Sequence, residues 1–137
     1  MKIFSDKINY GILALFELGK NYHKSHIQIK EISKEQNIPK SYLEQLLVLL
    51  KKSELVESIR GAQGGYKLKR PPNQIQIIDI IEALESPLLM VDYSKNSEVL
   101  QIYWKKKEIE FKSLFNTTIE ELINEENILK KRIFYDI

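Results

Sequence analysis

Cysteine is absent from all 137 residues of the chain. That excludes disulfides, thiolate-held zinc, cysteine nucleophiles and iron–sulfur clusters held wholly by cysteine. Histidine occurs twice, as His23 and His26, and methionine twice, too few for a soft-metal site. Neither GxSxG nor HExxH is present. The two histidines are therefore read as solvated loop residues, with a two-ligand metal site as the weaker alternative. No catalytic residue, metal or cofactor is assigned, and no enzyme is expected. The longest uncharged run near the N-terminus, Ile8 to Phe16, is far too short to span a bilayer. With no leader-like pattern at the start, a cytoplasmic protein without a membrane partner is expected. There is no internal repeat and no low-complexity segment.

What is present is 43% hydrophobic and 29% charged residues, a balance that folds. The length suits one domain, or a small domain with an appended oligomerisation element. The net charge of +2 hides an asymmetry. Residues 1 to 72 hold 13 Lys/Arg against 7 Asp/Glu, a net of +6, whereas residues 73 to 137 hold 8 against 12, a net of −4. A basic first half and an acidic second half suggest that only the first meets a polyanion.

Apolar spacing predicts a mainly helical chain. Ser5 stands where it caps a first helix carrying Ile8, Ile12 and Leu15, with Leu13 and Phe16 widening the stripe and Gly19 and Asn21 at its end. A short helix is expected over Ile27 to Gln36, with Ile29 and Ile32 inward. Asn37-Ile38-Pro39 breaks it, and a third helix runs from Pro39 to Lys52 with Leu43, Leu46, Leu47 and Leu50 at i, i+3, i+4, i+7. Two helices joined by about three residues make a helix-turn-helix pattern. Farther on, Ile75 to Glu85 reads as a short buried helix stopped by Ser86-Pro87, and Leu88 to Ser97 as a loop. Val99 to Phe115 reads as the longest helix. Leu100, Tyr103, Trp104, Phe111, Leu114 and Phe115 lie along one side, and Ile102 and Ile109 form a second stripe. A helix apolar on two sides needs more than one neighbour, and in a chain this short another subunit is expected, with cover by the chain's own domain as the alternative. Thr118 and Glu121 form a capping box for a last short helix.

Glycine is scarce, with five residues in all, yet Gly61, Gly64 and Gly65 crowd into RGAQGGY, Arg60 to Tyr66. The spacing fits neither phosphate-loop fingerprint. Alternating LVESI before it and YKLK after it predict a β-hairpin. Helix, helix-turn-helix and glycine-tipped hairpin are the order of a winged helix, in which the second helix of the pair enters the major groove and the hairpin lies over the backbone or minor groove. A tip beside phosphates needs close main-chain approach, which any Cβ would hinder; a purely structural turn is the alternative. Arg60 supplies a guanidinium for a narrow minor groove or a phosphate, with a solvated strand-end charge as the alternative. On the third helix Ser41, Glu44 and Gln45 face outward to base edges, Gln toward adenine and Glu toward a cytosine amino group. Lys40 and Tyr42 are candidate phosphate contacts, as are Lys51, Lys52, Lys67 and Lys69. Val48 is read first as an edge-of-core residue, with contact to a thymine methyl as the alternative. The rival to DNA binding is a winged-helix protein-interaction module with no specific DNA target.

The segments KSYLEQLL (40 to 47), SELVESIRGAQGGYKL (53 to 68) and IQIIDIIEALE (75 to 85) resemble the bacterial winged-helix repressor family that includes the iron–sulfur-assembly regulator, the nitric-oxide sensor and the cysteine-metabolism repressor. The likeness is strong over residues 1 to 87 and looser over 98 to 126. It implies a winged helix-turn-helix DNA-binding domain over 1–87, then a loop, dimerisation helix and C-terminal segment over 88–137. It further implies a homodimer on an inverted-repeat operator in double-stranded DNA. It implies base contacts at Ser41, Glu44 and Gln45 and wing contacts over Arg60 to Tyr66, among them Gly61, Gln63, Gly64 and Gly65. Lys40 and Tyr42 join these as the phosphate candidates named above, and Ile102, Ile109 and Phe111 are the residues expected in the dimer contact. Cluster-binding members of that family place three cysteines in the loop after the ALE-type helix. Pro87 to Trp104 here contains neither Cys nor His. The chain therefore resembles the cluster-free branch, in which a cysteine-synthesis enzyme controls the regulator by complex formation.

Overall fold

The protein is described from a computed structural model covering residues 1–62, 64–95 and 97–136. Helix α1, Asp6–Lys20, buries Ile8, Ala14, Leu15 and Leu18, an apolar stripe at helical spacing. Ser5 has the extended backbone of an N-cap, but its hydroxyl donates to Glu85 Oε1 at 3.3 Å instead of to the helix. Glu17 is only 8% exposed, and its charge is compensated: its carboxylate accepts from Gln36 Nε2 at 2.8 Å and Asn21 Nδ2 at 3.2 Å, and pairs with Lys20 at 3.2 Å.

Helix α2 spans Ile29–Gln36 and ends at Asn37, whose left-handed φ of 53° reverses the chain. Helix α3, Lys40–Lys52, follows with Pro39 as its N-cap residue. Leu43, Leu46, Leu47 and Leu50 are all buried, each contributing roughly 1.5–3 kcal/mol by leaving water. Strands β1, Val56–Ile59, and β2, Gly65–Leu68, pair antiparallel, with Val56 opposite Leu68 and Ile59 opposite Gly65.

Ile27 corrects the expected start of α2. Its N–H and carbonyl each bond Tyr66 at 2.8 Å, so it extends the hairpin as a third, one-residue strand. The physical reason is the wing's open edge, whose otherwise unpaired backbone groups at Tyr66 offer Ile27 two bonds at once.

Helix α4, Ile77–Leu84, is opened by a reciprocal capping box between Gln76 and Asp79. Ile75 and Gln76, expected in that helix, are extended instead, because they pair with the segment around Thr118: Ile119 N–H donates to the Ile75 carbonyl at 2.9 Å. Helix α5 is Glu98–Ser113 and α6 is Ile119–Asp136, the latter opened by the Thr118–Glu121 box. The last helix is therefore 18 residues long and the longest of the described helices, not the short one expected. No glycine or proline occurs after Pro87, so nothing in the chain stops it. One core joins α1, α3, α4, the hairpin and the start of α6, where Ile119 is fully buried. Lys20 reaches across from α1 to Glu126 of α6 at 3.6 Å.

Candidate nucleic-acid interface

Because the leucine stripe of α3 is turned inward, the helix presents Ser41, Glu44, Gln45 and Val48 to solvent as one outward stripe. Lys40, Lys51 and Lys52 flank it and are also exposed. Val48 is 63% exposed, which corrects its first reading as an edge-of-core residue. It sits one turn beyond Glu44 on the outward face, where no neighbouring element covers it. Tyr42 is half-buried, its ring edge-on to Tyr10 at 5.5 Å.

Arg60 stands exposed at the base of the wing tip and forms no ion pair among the described residues. Gln63 lies outside the described residues. The glycines have internal reasons for being there. A Cβ on Gly64 would lie 2.2 Å from the Ile59 carbonyl oxygen, and one on Gly65, where φ is +147°, 2.4 Å from that of Ile27. The hairpin's own backbone therefore demands both, before any ligand does. Gly61 is exposed with open space around it. Tyr66 is half-buried.

Between α3 and the wing runs a groove of about 480 Å³, lined by Lys40, Glu44 and Lys51 on one side and by Arg60, Gly61 and Tyr66 on the other. Lys30 of α2 joins its rim. Lys51 Nζ donates to Ser58 Oγ at 2.7 Å, fastening the end of α3 to β1. Two of the other lysines considered for phosphate are engaged within the chain: Lys69 pairs with Glu54 at 3.3 Å, and Lys67 lies 5.8 Å from the centre of the Tyr22 ring. Sequence reasoning missed Gln28, whose Nε2 donates to the Ala62 carbonyl at 3.1 Å and braces the tip. The I-Q-I alternation over Ile27 to Ile29 was the available signal for the extra strand. His26, read as a solvated loop residue, is instead half-buried, with its Nε2 sealed from solvent and without a hydrogen-bond partner among the described residues.

In α5 none of the helix residues is buried. Ile102 and Ile109 are 64% and 71% exposed, with Val99 and Tyr103 exposed beside them. Phe111 is half-buried within its own chain, 6.0 Å from Phe4 and 5.2 Å from Phe115 between ring centres. The loop before α5 is closed by oxygen chemistry. Tyr93 donates its hydroxyl to Glu108, and this pushes the phenol up to about 12. Burial raises Glu108, but hydrogen bonds from Tyr93 and the Met90 N–H, with Lys112 at 3.5 Å, outweigh it and hold the carboxyl below its ordinary value. Among the described residues no group of three or more His, Asp or Glu is arranged to hold a metal ion, and no helix is long and apolar enough to cross a membrane.

Comparison with known proteins bears on this geometry. A family profile, Rrf2, described as iron-dependent transcriptional regulator, matches residues 4–125. The HTH-type transcriptional regulator CymR of Bacillus subtilis is 36% identical over 124 residues, covering 89% of each chain. The solved structure of CymR, the global cysteine regulator of B. subtilis, superposes with a TM-score of 0.76 at 34% identity, over 90% of this chain and 98% of that one. The structure of T. potens IscR does so with 0.74 at 33% identity, over 92% and 88%. The iron in the family's description has no cysteine to hold it as a cluster here, and among the described residues no three His, Asp or Glu side chains converge to hold it otherwise. Fold, helix-turn-helix, wing and sequence agree, and the chain belongs to the Rrf2 family of transcriptional regulators.

Proposed function

We propose that the protein is a repressor that binds an inverted-repeat operator as a homodimer, without an iron–sulfur cluster. The observation that carries this is the pairing of two exposed features on one side of the molecule. These are the Ser41, Glu44, Gln45 stripe of α3 and the exposed Arg60 of the wing, which flank a groove edged by Lys40, Lys51 and Lys30. Base edges are read by the helix, and phosphates and the minor groove by the wing. Tyr42 and Tyr66 contribute their hydroxyls to the backbone, and Gly61 the close approach. Residues 1–87 form the DNA-binding part and 88–137 the loop and dimerisation part. Two copies meet through Ile102 and Ile109 of α5, with Phe111 buttressing the helix from its own domain.

The absence of any thiolate supports regulation without a cluster. The likeness to a cysteine regulator supports a role in sulfur metabolism, with a cysteine-synthesis enzyme as the partner that sets DNA affinity. The acidic second half, unsuited to DNA, is the surface such a partner would use. It would act only by binding the DNA-competent and DNA-incompetent forms unequally.

Genomic footprinting in the host tests the reading. An enriched inverted repeat upstream of cysteine or sulfur genes supports it, and a featureless footprint overturns it. On the footprinted duplex, Gln45→Ala is expected to lose roughly 1–3 kcal/mol of discrimination at one base pair per half-site. Competition binding with single-base variants measures this, and an unchanged preference would remove Gln45 from the reading surface.

A further inference from the structure

Val48 is a large apolar side chain on the otherwise polar outward stripe of α3. On α3 it follows Ser41, Glu44 and Gln45 at i+7, i+4 and i+3, and it precedes Lys51 and Lys52. It therefore lies in the middle of the outward stripe. At 63% exposure it is the most exposed apolar residue of that helix and gains nothing from the core. A β-branched residue on an exposed helical face is also a poorer helix former than alanine, so local stability does not explain it either. In the major groove the apolar group that a base pair presents is the C5-methyl of thymine.

We infer that Val48 is a specificity-determining residue that packs on a thymine methyl, one per half-site. This rests on the DNA-binding role proposed above and adds a base preference that Ser41, Glu44 and Gln45 do not supply. The position fits. Val48 lies about 6 Å along the helix axis from Glu44, given a rise of 1.5 Å per residue, so it faces a neighbouring base pair rather than the same one.

The test separates this inference from the reading beneath it. Wild-type protein and Val48→Ala are each used to select duplexes from a random double-stranded pool. Each thymine of the wild-type motif is then replaced singly by deoxyuridine, which removes the methyl and leaves the hydrogen-bonding edge intact. The wild type should lose affinity about three- to fivefold at one thymine per half-site, the effect of one buried methyl. Val48→Ala should bind the parent duplex more weakly by a similar factor and be indifferent to that deoxyuridine. Its thermal unfolding should be unchanged. A wild type that selects a clear motif yet tolerates every deoxyuridine overturns the role of Val48 while leaving DNA recognition standing. So does a Val48→Ala protein that remains as sensitive to the same deoxyuridine as the wild type. A wild type that selects no motif overturns both.

Discussion

A chain carrying Ile102→Asp and Ile109→Asp should be monomeric at concentrations where the wild type is a dimer, and should lose operator binding on the order of a hundredfold or more. Both side chains stand on one face of α5, seven residues apart, and are 64% and 71% exposed in the single chain. A symmetric contact brings four such isoleucines out of water, each worth roughly 1.5–3 kcal/mol if fully covered. Carboxylates in their place would have to be desolvated without partners, which penalises the contact further. Because the substituted positions touch no core, circular dichroism and thermal unfolding of the monomer should survive. The DNA effect follows from lost bivalency: two linked reading heads gain a factor of about 10²–10⁴ over one. Light scattering and binding to a full and a half operator measure both. A dimeric double variant would move the interface away from α5.

Gly64→Val is expected to do more damage than Arg60→Ala, and by a different route. A Cβ at position 64 would stand 2.2 Å from the Ile59 carbonyl oxygen, 2.9 Å from the Arg60 carbonyl carbon and 3.0 Å from the Gly61 carbonyl oxygen. All three are backbone atoms, so nothing can swing aside and the tip must rebuild. Thermal unfolding should drop, with a cost of roughly 1–3 kcal/mol in line with strained or clashing sites. DNA affinity should fall with it. Arg60→Ala removes an exposed charge that has no ion pair among the described residues, so stability should be untouched. Its DNA affinity should fall about tenfold at moderate salt, and the salt slope should shrink by about one. Equal thermal stability for Gly64→Val and the wild type would show that the wing is not held as described.

The fold was legible where one periodicity acted alone. The four leucines of α3, the Asn37 break, the paired strands around the glycines and the Thr118 capping box each rest on local chemistry, and each is where the residues indicate. What was not legible depended on distant partners. Ile27 leaves its helix because Tyr66 offers two backbone bonds, and Ile75 leaves its own because its carbonyl accepts one from Ile119. The leucine spacing puts Val48 on the outward side of α3, and only the packing reveals that the edge of the core leaves it uncovered. The glycines illustrate the converse. Their clustering signals a tight tip, but the carbonyls of Ile59 and Ile27 that forbid a Cβ at Gly64 and Gly65 cannot be seen until the strands are assembled. The length of α6 was underestimated because its final turns, with Ile133, Phe134 and Tyr135 exposed, make no core stripe to read.

The central claim is sequence-specific binding to duplex DNA through α3 and the wing. It is tested most directly by measuring the affinity of the wild-type protein for its footprinted duplex and for a shuffled duplex of equal length, each across a salt series. The account predicts a specific duplex bound about 10³-fold or more tightly than the shuffled one. It also predicts that log K falls linearly with log salt, with a slope of about −0.9 for each phosphate contacted, and hence steeply for a dimer with two wings. Equal affinity for the two duplexes, or binding indifferent to salt, would contradict it.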